Sequence, residues 1–328
     1  MSFIKQTIVS LAAVFLSAVA LGQTTPSTST ASPSQTPSAT TTPAIPPSQP
    51  AGTKRPPQAT SAEEYAAYKS ITTQTSGAAV EAALKDFEAK FPKSELRPLL
   101  YYSLMHGYQE GNDADKAIAM GRRSVELDAD NPVTLIELAN LIAEGTRDTD
   151  LDREPRYTEA VKYAKHGMET METSLVVPPN TPPEKVQQLK QFLAALAHAA
   201  LGLVDFNHHN DVTAEQHLRE SARLNTIQPD PMVYLRLAIA LDHQSKYQDA
   251  LAAANRVLEL TPNGPLANLA HSEKDRLQKL MGTGPVGTMG ATTTSNPAAP
   301  AKPATNPPPT APATQQPQQQ PQQQPPKS

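Results

Sequence analysis

Cysteine and tryptophan are absent from the 328 residues, and aromatic side chains make up only 5% of them. Without cysteine there is no disulfide, no thiolate metal site, no thiol nucleophile and no acylated cysteine of the lipoprotein kind. Acidic residues are missing from both ends, since all 32 lie between Glu63 and Asp275. Residues 62–281 hold those acids with 23 Lys plus Arg, a net charge of −9. Nucleic acid asks for the opposite, a basic stripe against phosphates. No Gly-x-Ser-x-Gly elbow and no His-Glu-x-x-His stretch occurs, so catalysis has no residues to stand on. Long apolar runs are scarce as well. Ile8 to Leu21 is about 15 residues, short of the ~20 that a spanning helix needs.

What is present divides the chain into four. Residues 1–22 read as a secretory signal peptide: Lys5 supplies the positive start, Ile8–Leu21 the apolar run, and Ala20-Leu21-Gly22 the small–x–small site cleaved before Gln23. Export to the periplasm or beyond follows as an expectation. Residues 23–61 are Thr, Ser, Pro and Ala with almost no charge, the composition of a disordered linker. Residues 62–281 carry the charge and the periodic apolar residues, enough chain for a sizeable core. Residues 282–328 turn to Pro, Ala, Thr and Gln, a second disordered tail.

The central segment repeats itself. In 231–262, Tyr234, Leu237, Ala238 and Leu241 recur at helical spacing; Ser245 and Lys246 interrupt; Tyr247, Ala250, Ala254 and Val257 resume it before Pro262. Ala238 and Ala250 are small where two helices cross. Gly202 and Ala214 stand twelve apart in the same way. Tyr101, Leu104, Met105, Tyr108, Ala117, Gly121 and Ser124 give another copy, and Leu135, Ala139, Ala160, Ala164 and Gly167 a third with a longer turn. The first copy is the weakest: Tyr68, Ile71, Val80, Leu84 and Phe87. Equivalent residues are Val80, Ala117, Ala160, Ala214 and Ala250, with steps of 37, 43, 54 and 36. Pro265–Met281 follows as a closing helix, expected apolar inward through Leu266, Leu269, Leu277 and Leu280. The expected fold is all-α, a solenoid of about five helix–turn–helix repeats and a capping helix.

This pattern resembles the tetratricopeptide repeat, with Tyr234 for the usual Trp and Ala238 for the usual Gly. The chain is similar to exported bacterial members of that family over about two-thirds of its length. The resemblance implies a non-catalytic scaffold that takes a protein or peptide in a groove lined by the first helix of each pair. Carried over residue by residue, the groove receives Tyr65 and Lys69; Tyr102, His106, Gln109 and Glu110; Ile136, Asn140 and Glu144; Leu203 and Phe206; and Leu235, Ile239 and His243. No cofactor and no small-molecule substrate are implied. The alternative is a structural, cell-wall-associated component whose Pro-rich ends do the work.

Other motifs weigh less. Asp148, Asp150, Asp152, Glu154 and Glu159 fall at positions 1, 3, 5, 7 and 12 of a calcium-loop template, whose several oxygens suit calcium. Arg153 stands where that loop needs Gly, and Pro155 follows, so arginine-neutralised acids are the preferred reading. His198, His208, His209 and His217 gather in the fourth repeat without a completing ligand set. Gly282, Gly284 and Gly287 spell a dinucleotide motif without the strand it requires.

Overall fold

The structure is a computed structural model that describes residues 49–74 and 77–282. The expected signal peptide, residues 23–48 of the expected linker, and 283–328 of the tail lie outside the described residues.

Among the described residues the fold is all-α. Five helix pairs follow one another: α1 (Ala62–Thr72) and α2 (Gly77–Lys90), α3 (Arg97–Glu110) and α4 (Ala114–Leu127), α5 (Pro132–Gly145) and α6 (Arg153–Ser174), α7 (Pro183–Asn207) and α8 (Asp211–Leu224), α9 (Pro231–His243) and α10 (Tyr247–Leu260). Helix α11 (Pro265–Gly282) closes the array. Each helix packs on the next along the chain, and α5 also packs on α7. This is an α-solenoid.

Local chemistry sets the helix ends. Asp113, Asn131 and Asp230 cap α4, α5 and α9 by accepting from Lys116 N, Val133 N and Met232 N at 3.2, 3.1 and 2.8 Å. Pro132 and Pro231 begin their helices, where a missing N–H costs nothing. Ser61 caps α1 through Glu64 N at 3.0 Å, as the sequence predicts. The return bond from Glu64 goes one residue further back, to Thr60 N at 2.6 Å. Within three pairs the turn bends through a residue at positive φ: Asn112 at 58°, His209 at 57° and Ser245 at 59°. Each lies five residues before its repeat's Ala117, Ala214 or Ala250. The third pair lacks this turn, and residues 146–152 connect α5 to α6 instead.

Small residues let the helices meet. A Cβ on Gly121 would stand 2.7 Å from Leu138 Cδ1 and 2.8 Å from Met105 Sδ. On Gly167 it would stand 2.5 Å from Ile136 Cγ1, and on Gly202 2.8 Å from Leu218 Cγ. Ala117, Ala160, Ala214, Ala238 and Ala250 are all fully buried. These are the crossings that the spacing predicts.

Three features differ from expectation. The calcium-loop template runs into a helix, since Arg153–Arg156 form the first turn of α6, where Pro155 is tolerated. Helix α11 buries Ala267, Ala270 and Leu277 but turns Leu269 outward at 57% exposure and Leu280 at 37%. Its inner face combines Ala267, Ala270 and the expected Leu277, with Leu266 packed beside Leu235 and Val257. And residues 49–60, expected as linker, are seated on the array: β1 (Thr53–Lys54) pairs in parallel with β2 (Leu175–Val176). Helix α7 is long and apolar enough by composition to cross a membrane. Leu193, Ala197, Ala200, Leu201 and Val204 spend that apolar character inside the protein core.

Candidate partner-binding face

The residues predicted to line a groove divide into three classes of burial. Tyr102, His106, Ile136, Leu203 and Leu235 are interior. Tyr65, Gln109, Asn140, Phe206 and Ile239 are half-buried, while Lys69, Glu110, Glu144 and His243 are exposed. The buried five correct the carry-over from the family pattern. Ile136 turns toward α6 because Gly167 opposite it leaves room for its side chain. Leu235 joins Val257 and Ala270 in the core beneath α10 and α11.

Polar contacts tie successive first helices together along the same face. His106 Nε2 on α3 lies 3.0 Å from Glu137 Oε2 on α5. Asn140 Nδ2 on α5 donates to Leu196 O on α7 at 2.8 Å and to Ile136 O at 3.0 Å. The Phe206 ring on α7 stacks on His243 of α9, with centroids 6.5 Å apart and planes 8° off parallel. His243 Nδ1 in turn meets Asp211 Oδ1 at 3.0 Å. Arg236 Nη1 on α9 reaches across to Glu144 Oε1 at 3.7 Å. Asn140 was read as a groove group, and its amide is already committed to the α7 backbone.

The α3–α5 junction is the most buried polar place on this face. Tyr102 and His106 rings meet edge to face at 4.5 Å. Burial, followed by the charge of Glu137, pushes the Tyr102 phenol far above its ordinary range. Tyr102 Oη, His106 Nε2 and both Glu137 carboxylate oxygens are inaccessible and outside hydrogen-bonding geometry. Glu137 was missed by sequence reading, although its place one residue after Ile136 could have raised it.

Between the first pair and α3 is a cleft of about 160 Å³ lined by Ile71, Val80, Leu100, Leu104 and Tyr108. It is smaller than the ~300 Å³ at which small-molecule sites begin. Tyr108 donates to Glu81 beside it, and that bond pushes the phenol up to about 12.

The acidic segment does not gather around one point. Glu159 receives Arg122 at 2.8 and 2.6 Å, Asp152 receives Arg156 at 2.8 Å, and Asp150 receives Arg147 N at 2.9 Å. Asp148 lies 3.6 Å from Arg153, and Glu154 lies 2.9 Å from His208. Burial opposes the charge of Glu159, yet the Arg122 bond holds its carboxyl below the usual range. Among the described residues no group of three or more His, Asp or Glu is placed to hold a metal ion. Of the four histidines only His198 and His217 come together. His208 sits over Tyr157 and on Glu154, His209 makes the turn, and His198 Nδ1 faces His217 Nδ1 at 2.9 Å.

No protein-family profile matches the chain, and no curated protein matches it. Solved structures do. The chain is similar to Pseudomonas aeruginosa pilF, at 16% identity and a TM-score of 0.44 over 68% of this chain and 95% of that one. It is similar to PilW, a type IV pilus biogenesis factor, at 14% identity and a TM-score of 0.43 over 69% and 96%. It is similar to MamA at 17% identity and a TM-score of 0.37 over 56% and 88%. With TM-scores below 0.5, none of these likenesses bears on what this chain binds.

Proposed function

We propose that this chain is a non-catalytic scaffold, exported to the bacterial cell envelope, that holds a protein or peptide partner along its first-helix face. One observation carries the reading. Each of the five first helices keeps at least one predicted groove residue half-buried or exposed, Tyr65 and Lys69, Gln109, Glu144, Phe206, then Ile239 and His243, and cross-helix contacts tie α5, α7 and α9 together. Rings and aliphatic groups there supply area, and the charged groups supply register. A rigid face loses little entropy on binding. The proline-rich ends serve this reading as tethers, with residues 1–22 removed on export.

The test places a photoreactive residue at Gln109 or Ile239 in living cells, with Lys165 on α6 as the control. A discrete adduct at the first two sites and none at Lys165 is the expected outcome. Equal labelling at all three would refute a partner face on the first helices. N-terminal sequencing of the mature chain tests export separately, with Gln23 expected as the first residue.

A further inference from the structure

Solenoid repeats ordinarily touch only their neighbours, and the end repeats need a cap. The first pair here needs one more than most. At the positions where other pairs cross through Gly or Ala, it carries Tyr68 and Leu84, both large and both buried. What covers it comes from ahead of α1. Ala59, 7% exposed, packs into the cluster of Tyr68, Phe87, Leu96 and Leu100, and Pro56 beside it is buried. Arg55 grips Glu95 in the loop between the first and second pairs with two bonds of 2.9 and 2.8 Å, and Gln58 N adds a third at 3.3 Å.

The same segment then reaches past the second pair. Thr53 and Lys54 pair in parallel with Leu175 and Val176, and Gln49 Nε2 donates to Val177 O at 3.1 Å. A tight turn aims it there. Thr53 N and Oγ1 both donate to Pro50 O, at 3.3 and 2.7 Å, with Gly52 at φ 73°. Glycine is required twice over at that point. The positive φ disfavours a side chain, and a Cβ would stand 2.9 Å from the Glu172 carbonyl oxygen at the end of α6.

We propose that residues 49–60 are a strap that caps the first pair and fastens it to the end of the third, so that α1–α6 open as one cooperative block. The strap also moves the point where the leader of the mature chain, residues 23–48, joins the array, from the start of α1 to the loop beside Val177. Any pull on that leader then enters between the third and fourth pairs.

Amide hydrogen exchange on the full chain tests this at both ends. Gly52→Val breaks the strap at α6. Exchange in α1, on the far side of the second pair, is expected to rise about ten-fold, with α9 and α10 unchanged. Ala59→Asp breaks it at the cap, and Leu175–Val177 should then exchange faster by a similar factor of about ten, because coupling between two sites is reciprocal. If Gly52→Val loosens only the end of α6, or Ala59→Asp only α1, the strap transmits nothing and the proposal is overturned. A uniform rise from α1 through α11 in either variant would overturn it too, since that is general damage.

Discussion

The fourth and fifth pairs share one spacing and solve the same crossing differently. In the fifth, Ala238 on α9 and Ala254 on α10 are both fully buried. In the fourth, the equivalent residues are Gly202 on α7 and Leu218 on α8, and the missing Cβ of the first is filled by the side chain of the second. The second pair reverses the assignment, with Met105 on the first helix against Gly121 on the second. In the third, Ala139 and Ala164 are fully buried as in the fifth, and Gly167 on α6 receives Ile136 of α5. What these four crossings share is at least one Gly or Ala, because the axes stay close only if one of the two facing side chains leaves room for the other. Either partner can be small. A pattern that demands a small residue at one fixed place describes only half of that rule.

This comparison can be broken by a mutant cycle. Leu218→Ala alone leaves the gap beside Gly202 empty and should cost about 2–5 kcal/mol, the largest single effect expected here. Gly202→Ala alone should also destabilise, by about 1–3 kcal/mol, through overpacking against Leu218. That sign is the sharp part, because Gly→Ala inside a helix otherwise stabilises by about 1 kcal/mol. With both changes the fourth pair carries the alanines of the fifth. The Gly202→Ala step should then turn favourable, and urea unfolding of the four chains would read the coupling. Simple addition of the two single effects would mean that the crossing is not a shared gap.

How far could this have been read from residues alone? The pairs, their turns and their crossings were legible because spacing and small residues carry them: Ser245 interrupts where the chain turns, and Gly202 sits where Leu218 arrives. The strap was not. Its prolines, threonines and Gly52 have a linker's composition, and its place depends on backbone atoms of Glu172, Leu175 and Val177 that no local pattern announces. The partner face was half legible. Lys69, Gln109, Glu144 and His243 remain accessible, whereas Ile136 and Leu235 were drawn inward by Gly167 and by α11, which a single-repeat template does not contain. His198 was weighed as a metal ligand, yet its spacing already set it sixteen residues before Ala214. Tyr101 and Tyr234 stand at the same distance before Ala117 and Ala250.

That last equivalence sharpens the comparison at a smaller scale. Tyr234 lies under the guanidinium of Arg256 at 5.9 Å, as Tyr101 does under Arg123 at 5.8 Å. The fourth pair has His198 there, against His217, with Glu220 and Arg223 also acting on it and Asp205 3.9 Å from the far nitrogen of His217. Burial, and then the charge of His217, holds His198 below its ordinary value. The unfolded chain therefore binds more protons than the folded one just below pH ~6.5, and stability is lost as pH falls through that value toward the lowered one. The hydrogen bond between the two rings adds to this, since it needs a neutral nitrogen to accept. His198→Tyr puts the fifth pair's residue into the fourth. Between pH 7.5 and 5.5 the fall in Tm should shrink by about 1–2 °C relative to the unsubstituted chain, whereas His243→Gln, away from the pair, should leave that part of the fall in place. An equal reduction in both would assign the pH response to the histidines in general and dissolve the distinction between the two pairs.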